Sequence, residues 1–152
     1  MKVLFVCLGN ICRSPSAEGV ARARAIQQGV IDRFTFDSAG TGDWHVGKSP
    51  DSRAQAAALA RGYELTYLRA RQVSTGDFYE FDLILAMDKD NLADLQRIAP
   101  DDGRADLRMM LDYAPQFDSR EVPDPYYGGE DGFDQVLDML EEAVDGLLST
   151  AR

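Results

Sequence analysis

The sequence predicts an α/β fold: one domain, residues 1–152, with a four-stranded parallel sheet covered by helices on both faces. Three observations predict it. Short apolar runs at 2–6, 34–37, 82–87 and 107–111 read as strands. Segments with helical spacing and helix-end residues separate them, and alternating strands and helices imply a parallel sheet. A length of 152 residues fits a single core.

Taken in order, residues 2–6 form a buried first strand. Ser14-Pro15 follows as a helix start, with Ser14 as N-cap and Pro15 at the first helical position. That helix is expected over 15–28, with Gly29 as its stop. Residues 34–37 alternate as a second strand, and the polar, Gly-rich stretch 38–50 reads as a loop. The Ala-rich stretch 51–61 is helical and ends at Gly62. After the third strand, Asp88 caps a helix whose Leu92, Leu95 and Ile98 share one face. Residues 107–111 give the fourth strand. Residues 115–132, acidic and rich in Pro, Tyr and Gly, give a long loop. The last helix carries Phe133, Val136, Leu137, Leu140, Val144, Leu147 and Leu148 at helical spacing.

Composition narrows the function. Hydrophobic residues make up 45% and charged residues 28%, which argues against wholesale disorder. A formal net charge of −10 repels nucleic acid and anionic membranes, so neither is an expected partner. It also repels phosphate esters, so any phosphate site must be built from local donors. The apolar run at the N-terminus stops at Gly9-Asn10 without a signal-peptide cleavage site, and no segment has the length of a membrane span. The expected location is the cytoplasm. With two cysteines, Cys7 and Cys12, and one histidine, His45, a four-ligand zinc site is not expected. His45 reads as a solvent-facing loop residue.

Ligands in such folds bind beyond the carboxyl ends of the strands. Cys7 stands there, followed by Leu8-Gly9-Asn10-Ile11-Cys12-Arg13-Ser14. Gly9 and Asn10 tolerate unusual backbone angles, so a tight turn can aim successive N–H groups inward as an anion nest. The helix after it points its positive end at the same spot, and Arg13 adds a fork of donors. The same field favours the thiolate of Cys7, a nucleophile facing a clamped phosphorus. Ser14 is placed to hydrogen-bond the sulfur. A bare Cys-x5-Arg match also fits a buried structural cysteine beside a surface arginine; placement between a strand and a helix start favours the site. The Gly-Lys-Ser/Thr ending of a nucleotide-binding loop is absent.

The string VCLGNICRSPSAEG resembles the active-site loop of the low-molecular-weight protein tyrosine phosphatases. DSAGTGDWHVGKSPDSRA, ARQV, FDLILAMDKDNL and VPDPYYGG with GFDQVLDML resemble that family in the same order, over nearly the whole chain. The resemblance implies a flavodoxin-like four-stranded sheet, no metal and no organic cofactor. It implies that Leu8 through Ser14 bind phosphate and that Cys7 passes through a cysteinyl phosphate.

A phenolic leaving group has a pKa of about 10 and needs a proton donor. The resemblance assigns that acid to Asp124, stiffened by Pro123 and Pro125. On the residues alone, Asp124 is one of 26 acidic side chains. Leu8, Ile11, Trp44, Tyr126 and Tyr127 read as walls of a slot for an aromatic ring, or singly as packing residues. The resemblance further makes Asn10 and Ser38 a loop-bracing pair beside Ser14, makes Cys12 a trap for oxidised Cys7, and makes Tyr126 and Tyr127 candidates for phosphorylation. One departure is Leu68, where many relatives carry a His, so Asn10 must find another partner. Expected partners are phosphotyrosine-bearing proteins, tyrosine kinases among the candidates, with the chain a monomer or weak dimer. An arsenate reductase with an internal thiol relay is disfavoured, since no cysteine lies outside the loop. Ile11 stands where a phosphoarginine phosphatase typically has Thr. Loss of Cys7, Arg13 or Asp124 would have pointed to a non-catalytic phosphate-binding module.

Overall fold

A computed structural model describes residues 1–126 and 131–150. Four strands form one sheet: β1 (Lys2–Cys7), β2 (Thr35–Gly40), β3 (Leu83–Ala86) and β4 (Asp106–Met109). Their order is β2-β1-β3-β4, and every pairing is parallel. Between them run α1 (Arg13–Gln27), α2 (Ser52–Ala60), the single turn α3 (Asp77–Glu80) and α4 (Lys89–Ile98), and α5 (Asp131–Ser149) follows β4.

The period of two along β1 sorts the core into two layers. Val3, Phe5 and Cys7 face α1 and α5, in a cluster with Ala17, Val20, Leu140 and Val144. Leu4 and Val6 face the other way, against Phe78, Leu95 and Ile84. Phe36 of β2 stacks on Phe5 and Phe34, with centroids 5.9 and 5.2 Å apart. Each fully buried side chain of this size contributes roughly 1.5–3 kcal/mol. All seven apolar residues expected on the inner face of α5 are buried. Asp88 caps α4 by accepting the Asn91 N–H at 2.7 Å. Gly29 ends the α1 segment with φ 72°, an angle a side chain would resist.

Several expectations are corrected. Helix α1 begins at Arg13 with Cys12 in the N-cap position, so Ser14 is not the cap and Pro15 not the first helical residue. The Ser14 hydroxyl is instead engaged by the loop before it. Strand β2 runs on through Ser38-Ala39-Gly40, because each of these pairs with the end of β1, Cys7 opposite Gly40. Strand β4 stops at Met109 and gives way to a 3-10 turn over Met110–Tyr113. Ile98 does not join the buried face of α4; it is 38% exposed at the last turn. A 3-10 turn at Ile31–Arg33 and α3 carry too few residues to show a period. Gly132 lies inside α5 and not in the loop before it. Among the described residues, no helix is long and apolar enough to cross a membrane.

The β1–β3 boundary is where chain connections change direction. After β1 the chain moves outward to β2, and β3 then enters on the opposite side of β1. The crevice at that point opens above Cys7, the last residue of β1.

Candidate active site

The loop from Leu8 to Cys12 closes over the sulfur of Cys7. Asn10 takes φ 57°, a left-handed angle that Asn tolerates better than most side chains. That turn brings its N–H to 3.3 Å from Cys7 Sγ. Cys7, Leu8, Ile11 and Cys12 each use the carbonyl as acceptor, to the N–H groups of Thr41, Gly42, Asp51 and Ser16. A trans peptide sets its N–H opposite its carbonyl. The N–H groups of Leu8, Gly9, Cys12 and Arg13 therefore turn away from those partners, the arrangement of an anion nest. Gly40 lets the loop lie this close to β2. A Cβ there would sit 2.7 Å from the Leu8 carbonyl oxygen. Gly9 has no left-handed angle; its missing side chain leaves room for the His45 ring, 3.0 Å from where a Cβ would stand.

Ser14 reaches back from the first turn of α1 to the sulfur, with Cys7 Sγ and Ser14 Oγ 3.0 Å apart. The same hydroxyl accepts from Asn10 Nδ2 at 2.8 Å and lies 3.3 Å from the Ala39 carbonyl. It has one hydrogen and two acceptors for it. A thiol can donate to Ser14, which then donates to Ala39. A thiolate takes the serine hydrogen itself. Asn10 is held from its other end by the Arg71 N–H, 2.9 Å from Asn10 Oδ1. This is the partner that Asn10 finds in place of a histidine, and Leu68 packs against the core instead. Ser38 is not bonded to Asn10. Its hydroxyl donates to Glu18 Oε1 at 2.8 Å, since β2 turns that side chain toward α1 and away from the loop.

Arg13 is 2% exposed. Its Nη1 donates to Asp88 Oδ2 at 2.6 Å and to the Val122 carbonyl at 3.0 Å, while Nη2 lies 3.6 Å from Asp124 Oδ2. Burial works against the charged form. The charges at Cys7, Asp88 and Asp124 outweigh it and push the guanidinium pKa up, so it stays ionised. Asp88 was legible only as a helix cap. In the fold it has two tasks, one oxygen capping α4 and the other aiming Arg13. Burial, then the neighbouring Asp51, Cys7 and Asp124, push the Cys12 thiol up, so Cys12 stays protonated beside the nest. Both cysteines are free.

The segment that carries Asp124 is tied to the sheet by the Val122 N–H, which donates to the Met87 carbonyl at 2.8 Å. Asp124 follows between an exposed Pro123 and a buried Pro125, and its Oδ1 accepts the Tyr126 N–H at 3.0 Å. Arg53, at the start of α2, pins the far side. It pairs with Asp51 at 3.0 Å, donates to the Tyr126 carbonyl at 3.1 Å, and sets its guanidinium 5.4 Å from the Tyr126 ring centroid and 4.9 Å from that of Phe133.

These parts surround one cavity of about 370 Å³. Cys7 and Arg13 line it with Asp124, and Leu8, Ile11, Trp44 and Tyr126 form its walls. Trp44, 65% exposed, stands at the mouth. His45 is a correction: it lines the cavity, 6.4 Å from the Tyr126 ring, and is not a bystander in solvent. Nothing in its local sequence marks it, because the contact is made across the cavity. Tyr127, expected in the same wall, lies outside the described residues. No group of three or more His, Cys, Asp or Glu side chains among the described residues is arranged to hold a metal ion.

Comparison with known proteins agrees with this geometry. The family model described as low molecular weight phosphotyrosine protein phosphatase matches residues 2–152. The chain is 49% identical to the low molecular weight phosphotyrosine protein phosphatase of Schizosaccharomyces pombe, over 99% of this chain and 97% of that one. It superposes with a TM-score of 0.94 on a protein tyrosine phosphatase from Entamoeba histolytica with Hepes in its active site, at 42% identity, covering 99% and 96% of the two chains. A drosophila arginine phosphatase superposes equally well, TM-score 0.94, at 33% identity over 100% of this chain and 98% of that one.

Proposed function

The chain belongs to the low molecular weight phosphotyrosine protein phosphatase family and is a protein-tyrosine phosphatase; from that premise we propose that it works through a cysteinyl phosphate, with Cys7 as nucleophile, Arg13 as phosphate clamp and Asp124 as acid and base. The Cys7 thiolate attacks phosphorus, an S–P bond forms, and the P–O bond to the tyrosine ring breaks. Asp124 gives its proton to the departing phenolate oxygen. Water then attacks the phosphorus of the intermediate and passes a proton to the Asp124 carboxylate. The S–P bond breaks, Cys7 leaves as thiolate, and inorganic phosphate is released.

What supports this reading is that Cys7, Arg13 and Asp124, 117 positions apart at the extremes, line one cavity. The nest and the arginine offer donors to the non-bridging oxygens, where negative charge gathers in the transition state. The Ser14 hydroxyl, 3.0 Å from the sulfur, stabilises the thiolate both as it waits and as it leaves. The substrates are phosphotyrosine-bearing proteins. A reducing compartment such as the cytoplasm suits a reaction that needs a free thiolate.

Cys7→Ser removes turnover of para-nitrophenyl phosphate while vanadate or phosphate binding remains measurable. Retained turnover would take Cys7 out of the mechanism. Asp124→Ala slows esters of poor leaving groups about 10²–10⁴-fold and good ones far less. Equal losses across leaving groups would deny it the acid's role. The arginine phosphatase among the similar structures motivates a second substrate class, phosphoarginine. The Ile11 wall suits a phenyl ring and offers a guanidinium no hydroxyl, so phosphotyrosine peptides are turned over in preference. A panel of both peptides decides between them.

A further inference from the structure

Beside the catalytic cavity, on the far side of Leu8 and Trp44, lies a second cavity of about 450 Å³. Both residues line both spaces, so the two cavities share a partition whose side chains are exposed, Leu8 40% and Trp44 65%. Of the second cavity's other residues the mechanism uses only the backbone N–H groups of Thr41 and Gly42, which hold the Cys7 and Leu8 carbonyls; their side-chain positions take no part in it. The remaining walls of this cavity come from the residues just after β2, the segment leading to α3, and the C-terminal half of α4.

Two features mark it as a receptor. Among the described residues, the Thr41 hydroxyl oxygen is buried without a hydrogen-bond partner, an uncommon condition in a folded protein. Thr41 itself lines the groove, where an arriving polar group can supply the missing bond. The exposed Ile98, off the core face of α4, adds an apolar surface on the opposite wall.

Resting on the tyrosine-phosphatase reading, we infer that this groove is a substrate subsite that takes the residue flanking the phosphotyrosine. Continuity with the catalytic cavity identifies the occupant. A polypeptide whose phosphotyrosine fills the first cavity must carry its chain across the rim, and successive residues stand only about 3.3–3.6 Å apart when extended. The first neighbour on one side therefore passes the Leu8–Trp44 partition. The lining sets its chemistry. Thr41, Gln72 and Thr75 offer hydroxyl and amide groups, and Ile98 and the partition offer apolar surface. The two charges in the groove, Asp94 and Arg97, pair with each other. The fitting side chain is uncharged, with an apolar stem and a hydrogen-bonding head, as in glutamine. An acidic neighbour finds no unpaired cation there, and the net charge of −10 opposes it further.

The test compares three substrates: para-nitrophenyl phosphate, a phosphotyrosine peptide with glutamine on both sides, and the same peptide with aspartate on both sides. Thr75→Trp fills the groove from an exposed wall position. It is expected to lower kcat/KM on the glutamine peptide about tenfold, bring the two peptides together, and leave para-nitrophenyl phosphate unchanged. An unaltered ratio between the peptides overturns the subsite. If Thr75→Trp loses all three activities, the near-isosteric Thr41→Val decides. A loss of roughly three- to tenfold confined to the glutamine peptide supports the groove, and no change overturns it. A wild-type protein that turns over para-nitrophenyl phosphate but neither peptide overturns the tyrosine-phosphatase reading, and the subsite with it.

Discussion

Helix α1 carries an arginine in a cluster of acids at each end, and the two clusters are built on opposite principles. Arg13 opens the helix and Arg24 stands in its last turn, roughly 16 Å further along the axis. The helix dipole is positive at its start and negative at its end. Arg24 complements it and Arg13 opposes it. At the far end, Arg24 binds Glu141 and Asp145 of α5 and the Tyr63 hydroxyl, while Arg61 binds the same Glu141 and also Asp138. That network is half-exposed and redundant. At the near end, Arg13 is buried and has Asp88 at 2.6 Å and Asp124 at 3.6 Å, with the nest beside it. Positive charge is stacked on a positive pole, a poor choice for stability and a good one for binding a dianion. The site is the end of the helix where local stability is conceded.

The largest effect that tests this contrast is Arg13→Lys. An ammonium keeps the charge and loses the planar fork, so kcat/KM on a phosphotyrosine peptide falls about 10²–10³-fold. A change under about threefold would mean that charge alone is needed there. Next comes a matched pair of carboxylate-to-amide changes, each facing an arginine of α1. Asp88→Asn keeps an N-cap for α4 and leaves the buried Arg13 without its nearest charge, at a cost of about 1–3 kcal/mol in urea unfolding. Glu141→Gln at the far end costs less than about 1 kcal/mol, because neighbours share its load and water screens them. Equal costs would erase the distinction between the two ends.

Arg53→Ala sharpens the picture at the near end. It removes the latch on the Tyr126 carbonyl, so poor leaving groups slow about fivefold while vanadate affinity holds. Loss of vanadate affinity instead would tie Arg53 to the loop at residues 8–14 and not to the segment of Asp124. The smallest effect is in pH. Burial opposes ionisation of Glu141, but the Tyr63 hydroxyl, Arg24 and Arg61 outweigh it and hold its carboxyl below the usual range. A carboxylate lowered in this way contributes stability above its unfolded pKa of about 4.3 and loses it as pH falls through the folded value. The gap in Tm between wild type and Glu141→Gln therefore closes below about pH 4. A gap that persists in acid would show that packing, and not charge, was lost.

Much of this was legible in the chain. The four strands, the long helices and the seven buried residues of α5 follow from periods that each segment carries by itself. The Cys7-to-Ser14 loop is equally local, since a tight turn, a sulfur and the start of a helix are consecutive in sequence. Asp124 was legible only through its motif, because nothing in the physics of one acidic loop sets it apart from the other carboxylates.

What escaped the sequence is what two distant segments do to each other. Asp88 reads as a cap and aims Arg13, His45 reads as a loop residue and lines the cavity, and Ser38 reads as one of a loop-bracing pair with Asn10 and binds Glu18. Each of these depends on the order β2-β1-β3-β4, which sets the end of β3 beside the start of α1 and β2 on the other flank of Cys7. Local periods fix which residues are strand or helix and which face is apolar. Which strand lies next to which is decided only when all the apolar faces are buried together, and the choice of charged neighbours follows from that packing.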